Sequence, residues 1–166
     1  MIELDYIINQ FSKVKVNKMK PVICNILRMS VYQLKYMDSV PDSAVCNEAV
    51  KLAKRKGFGS LSGFVNGVLR NISRNLSTIT YPDEQKDQIQ YLSVRYSMPE
   101  WIVRQWINDY GMEQTVSVLQ EFLQETPVTI RTNLLKITPE ALEKRLKEEG
   151  VTAEKMVCAD MPELNY

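Results

Sequence analysis

Apolar residues recur at helical spacing along most of the chain, and the period changes only after Pro127. Leu4, Ile7, Ile8 and Phe11 follow the i, i+3, i+4, i+7 rule of a helix with one buried face. The alternating "SKVKVNKMK" breaks that pattern as a loop would. Pro21 then opens a helix whose stripe is Ile23, Ile26, Leu27, Val31 and Leu34. In "DSVPDSAVCNEAVKLAKRKG", Asp42 or Ser43 is placed to cap a helix with Val45, Ala49 and Leu52 inward and Gly57 as its stop. Leu61, Phe64, Val65, Val68, Leu69 and Ile72 predict a fourth helix through "FVNGVLRN". Its periodicity overrules the turn signal of Asn66-Gly67. Gly63 and Gly67, four apart, predict a close approach by a neighbouring helix, while Asn66, Arg70 and Arg74 share the opposite face.

The stretch "SRNLSTITYPDEQKD" has the turn-rich composition of a linker. Three further helical segments follow: "YPDEQKDQIQYLSVRYS", "SMPEWIVRQWINDYG" and "MEQTVSVLQEFLQET". In the second of these, Ser97 and Glu100 have capping-box spacing and Ile102, Trp106 and Tyr110 define a face, leaving Trp101 off it. The third shows a stripe of Val116, Leu119 and Leu123. Beyond Pro127, Val128, Ile130 and Thr132 alternate as in a strand. "TPEALEKRLKEEG" predicts a helix from a Thr138 cap to Gly150, and "EKMVCA" offers a second strand. A β-α-β piece that stops there closes no sheet, so the chain is expected to be the front portion of something longer.

Charge changes this picture. The net charge of +1 hides an uneven distribution: residues 1–82 hold 12 Lys/Arg against five Asp/Glu, and the remainder 9 against 15. Residues 6–37 and 49–82 contain six basic residues each and no acid, so a polyanion is expected to meet the first half. The absence of histidine removes Ser-His and Cys-His catalysis and the usual zinc fingers. Cys24, Cys46 and Cys158 stand outside any C-x-x-C spacing and read as small buried hydrophobes in a reducing compartment. With no membrane-length apolar run and no signal-peptide pattern, a soluble, cytoplasmic chain is expected. No Gly-rich loop follows a strand, and no metal, cofactor or catalytic constellation emerges.

The ordered set "ILR…YQL…VP…NEAV…LAK…FVN…VLR", all present between Ile26 and Arg70, resembles the NusB-like helical domain. Its continuation into "YSMPEWIVRQWINDYG" and "TPVTIRTNLLKITPEALEKRL" resembles the N-terminal region of the Sun/Fmu-type methyltransferases that make 5-methylcytosine in bacterial 16S rRNA. The resemblance implies a mainly α fold, a NusB-like bundle followed by a partial α/β (β-α-β) subdomain. It divides the chain into an N-terminally incomplete helical domain at 1–80, a helical linker region at 81–126 and the start of the α/β subdomain at 127–166.

It further implies a non-catalytic, RNA-binding portion of an S-adenosylmethionine-dependent enzyme. The cofactor and the reactive cysteine thiolate belong to a C-terminal catalytic domain, because none of the three cysteines here has the family's Pro-Cys or Thr-Cys setting. No cofactor is expected on these residues. The partners would be 16S rRNA, the protein's own methyltransferase domain and a ribosomal protein. The candidate RNA contacts are Lys51, Lys54, Arg55, Lys56, Arg70 and Arg74, with Arg131 and Asn133 at the matching "TIRTN". Asn66 and Arg70 also suit a structural role, bonding neighbouring loops or helix ends. A NusB-like protein-docking or antitermination module is the alternative.

Overall fold

The computed structural model describes residues 1–124 and 128–153. Among them are eight α-helices and no strand: α1 (Ile2–Phe11), α2 (Pro21–Tyr36), α3 (Asp42–Arg55), α4 (Ser62–Arg74), α5 (Gln88–Tyr96), α6 (Glu100–Tyr110), α7 (Met112–Glu121) and α8 (Pro139–Glu148). The chain divides into two units, Met1–Gln124 and Glu125–Tyr166.

In the first unit, α1–α4 share one core built from the stripes that the sequence displays. Ile7, Ile8, Ile23, Leu27, Val31, Val65, Leu69 and Ile72 are all buried there. Each such side chain contributes roughly 1.5–3 kcal/mol relative to exposure. Leu4, Phe11, Leu52, Leu61 and Phe64 close the edges of this core. Helix α3 ends where expected: Lys56 is its C-cap, Gly57 adopts φ +82°, and the Phe58 N–H donates to the Ala53 carbonyl. That left-handed step favours glycine.

Helices α5–α7 enclose a second cluster around Leu92, Val103 and Leu119. Gly111, at φ +82° and ψ 169°, turns α6 into α7 in a region that only glycine adopts without strain. The predicted linker is not slack. Gln10 donates to the Thr80 carbonyl (3.0 Å) and accepts from the Thr80 N–H (3.3 Å), which fastens residue 80 to α1.

Several sequence expectations are corrected. Helix α3 has Pro41 at its N-cap and no side-chain cap, because Asp42 instead accepts from the Ser73 hydroxyl. Ser97 caps nothing at α6. It sits at φ 52° as the C-cap of α5, and its Oγ accepts from the Glu3 N–H at 3.3 Å. The inward face of α6 is Val103, Trp106 and Ile107, because these pack against the cluster of Leu92 and Leu119. Tyr110 is 63% exposed and Leu123, beyond the end of α7, is 62% exposed. Trp101 is exposed, as its position off the face predicts.

Gly63 and Gly67 are both exposed, and a Cβ added to either meets nothing within 4 Å. No helix among the described residues approaches them closely. Gly67→Ala is therefore expected to stabilise the unit by about 0.5–1 kcal/mol, read as a higher urea midpoint at an unchanged m value.

In the second unit, Thr138 accepts from the Ala141 N–H at 3.3 Å and caps α8 as anticipated, and Gly150 ends it. Residues 128–133 form no strand, and Val128 and Ile130 are exposed. A strand exists only through a ladder with a partner, and the proposed second strand, 154–159, lies outside the described residues.

Candidate nucleic-acid interface

Sequence counting treats every lysine and arginine of the first half as available, but packing does not. Helix α1 carries the acids that neutralise α2. Arg28 donates Nε and Nη2 to Asp5 in a two-pronged pair, each bond 2.6 Å long, and Lys35 Nζ donates to Glu3 Oε1. The run 6–37, acid-free in sequence, is thus supplied with carboxylates by residues 3 and 5 across the α1–α2 contact.

Glu3 is the centre of a compact network. Its residue is only 6% exposed, and its carboxylate accepts from Lys35, the Tyr36 hydroxyl and the Tyr81 hydroxyl (2.8 Å for the last). Lys35 also donates to the Tyr81 oxygen at 2.7 Å. Burial alone would push the Glu3 carboxyl up, but those hydrogen bonds outweigh it and hold the group below the ordinary glutamate value. Lys35 is opposed by burial and rescued by the same partners, so its ammonium is held above the usual lysine value. The signal for this network was present in the sequence. Glu3 lies one turn before Ile7 on the core-facing side of α1, where a charge survives only with partners.

The predicted RNA contacts fall into three places. Helices α3 and α4 pack antiparallel, because a short connection joins them and Asp42 in the first turn of α3 meets Ser73 in the last turn of α4. Arg70 and Arg74 share a surface depression of about 270 Å³ with Asp42, Ser43, Cys46 and Ser73.

 Arg70 does not bond a loop or helix end as the structural alternative supposed: its Nε donates to Asn66 Oδ1 one turn back, at 3.1 Å.

Lys54, Arg55 and Lys56 stand at the other end of α3, about 18 Å along its axis from Asp42. All three are exposed and make no ion pair among the described residues. Lys51 differs, because it donates to Glu48 at 2.7 Å. That bond, helped by the field of Arg55, lowers the Glu48 carboxyl. Arg131 and Asn133 belong to the second unit. Arg131 is exposed, whereas Asn133 Oδ1 accepts from the Leu135 N–H at 3.1 Å and shapes a turn.

Cys24 and Cys46 are buried, and burial pushes both thiols up, away from the thiolate a nucleophile needs. Cys158 lies outside the described residues. No helix among the described residues is long and apolar enough to cross a membrane.

Comparison with known proteins gives two family matches. Residues 1–74 match the NusB family, and residues 98–162 match the ferredoxin-like domain described as Methyltr_RsmF/B-like. The chain is 36% identical over 93% of its length to the probable ribosomal RNA small subunit methyltransferase B of Bacillus subtilis, and 32% identical over 92% to that of Synechocystis. It spans 34% of each of these relatives. A transcription antitermination protein NusB from Acidothermus cellulolyticus is 42% identical over 47% of this chain and 54% of its own. No solved structure matches. A NusB domain followed by an RsmF/B-like ferredoxin-like domain identifies the chain with the corresponding region of the Sun/Fmu-type ribosomal RNA methyltransferases.

Proposed function

We propose that the chain is the non-catalytic, RNA-binding portion of an S-adenosylmethionine-dependent 16S rRNA (cytosine-5)-methyltransferase. It holds rRNA while a C-terminal domain binds the methyl donor and performs the transfer. The division at 1–80, 81–126 and 127–166 belongs to this proposal, as do a cytoplasmic location and a ribosomal protein as further partner. The observation that carries it is the group of exposed cations Lys54, Arg55, Lys56, Arg70 and Arg74 on the α3–α4 pair, without carboxylate ion pairs among the described residues. Such groups bind phosphates and release counterions.

The test is a salt titration of the 166-residue chain against a fragment of small-subunit rRNA, followed by anisotropy. A steep linear fall of log affinity with log salt is expected. Affinity indifferent to salt would overturn the proposal. That outcome would favour the second reading, a protein-docking face, for which α2 offers the exposed Met29, Tyr32 and Tyr36.

A further inference from the structure

A second depression on the first unit shares no lining residue with the one between α3 and α4. It measures about 390 Å³ and is lined by Lys35, Leu76, Ser77, Ile79, Tyr81 and Arg95. We propose that it receives one unstacked nucleotide of a single-stranded RNA, with Arg95 on the phosphate and Leu76 and Ile79 against the base. This rests on the RNA-binding reading above and adds a second contact, whose lining contains none of the α3–α4 candidates.

Its volume falls within the ~300–1,000 Å³ of small-molecule pockets. The lining has the two chemistries that a nucleotide presents. Leu76 and Ile79 are partly buried apolar side chains packed against the core, which gives a base a fixed apolar surface. Ser77 is exposed and its hydroxyl is placed for a base edge or a ribose hydroxyl, while the Tyr81 hydroxyl at the same wall is engaged by Glu3 and Lys35. Arg95 is exposed and has no ion pair or side-chain hydrogen bond among the described residues, which leaves its planar donors for a phosphate. Lys35 is already balanced by Glu3, so the net positive charge of the pocket is that of Arg95. The same carboxylate fixes Lys35 and Tyr81 in place before any ligand arrives. A duplex keeps its bases stacked and out of reach of such a pocket, whereas a single strand can offer one.

The experiment compares a fluorescein-labelled single-stranded RNA oligonucleotide carrying 4-thiouridine with the same strand annealed to its complement. Arg95→Ala is expected to weaken single-strand binding roughly 3–10-fold and to reduce the salt slope by about 0.7, the share of one phosphate. Arg95→Lys should restore most of the slope, and duplex binding should change little. Photocrosslinks are expected on the tryptic peptide 75–86, which contains Leu76, Ser77, Ile79 and Tyr81. Single-strand affinity and crosslinks unchanged by Arg95→Ala would overturn the pocket while leaving the α3–α4 interface intact. Loss of binding on neutralising α3 and α4, with no effect at Arg95, separates the two in the same direction. No RNA binding by the unaltered chain would overturn both.

Discussion

Glu3→Ala is expected to destabilise the first unit by roughly 3 kcal/mol, the scale for removing one partner of a largely buried ion pair. For a unit of this size that lowers Tm by roughly 10 °C. The substitution takes away the acceptor for Lys35, Tyr36 and Tyr81 together, and it leaves the Lys35 ammonium only 20% exposed without its counter-charge. The effect has a signature in pH. The Glu3 carboxyl is depressed below its ordinary 4.5, so its contribution is present above that value and is lost as pH falls through the lower folded value. Lys35 is raised above its ordinary 10.5, so its contribution is complete below that value and is lost as pH rises through the higher folded one. The Tm difference between wild type and Glu3→Gln should therefore be flat from about pH 6 to 9 and shrink on acidification below about pH 4. A difference that persists undiminished in acid would show that the carboxylate charge is not what stabilises the network.

This network also marks the boundary of what the sequence discloses. The four stripes of α1–α4 are legible because a helix repeats its buried face every three or four residues, and Ile7, Leu27, Val45 and Leu69 could be read in that way. Capping was less legible. Asp42 and Ser97 have the right chemistry and spacing, but long-range partners, Ser73 and the Glu3 N–H, captured them. The face of α6 was misphased because Ile102, Val103, Trp106 and Ile107 leave two stripes open, and only packing against Leu92 and Leu119 chooses between them. The RNA candidates show the same division. Lys54 and Lys51 look alike in "KLAKRKG", yet Lys51 is occupied by Glu48. Likewise Arg28 and Lys35 appear available until α1 folds against them. Arg95 gives no signal in the sequence because it is the sole charge in "QIQYLSVRYSMP", and its place beside Ser77 and Tyr81 depends on how residues 75–96 fold back.

Those distinctions set the second large effect. Changing Lys54, Arg55, Lys56, Arg70 and Arg74 together to glutamine is expected to lower affinity for structured rRNA by roughly two to three orders of magnitude at low salt. The log–log salt slope should become shallower by about four, since each phosphate contact contributes about 0.9. Glutamine keeps helix propensity close to that of lysine and arginine, and all five side chains are exposed, so Tm should hold. Among the described residues, the only side-chain bond lost is the one from Arg70 to Asn66 on the same helix face, worth a few tenths of a kcal/mol. Lys51→Gln is the internal control. Its ammonium is already bonded to Glu48 and holds fewer phosphate counter-charges, so a smaller change in the salt slope is expected than at Lys54. Two groups about 18 Å apart along α3 also predict a length dependence. RNA long enough to reach both ends of the α3–α4 pair should bind with the full slope, and shorter RNA should engage one group and lose about half of it. A five-fold variant that folds normally and keeps the wild-type slope would remove this face from RNA binding.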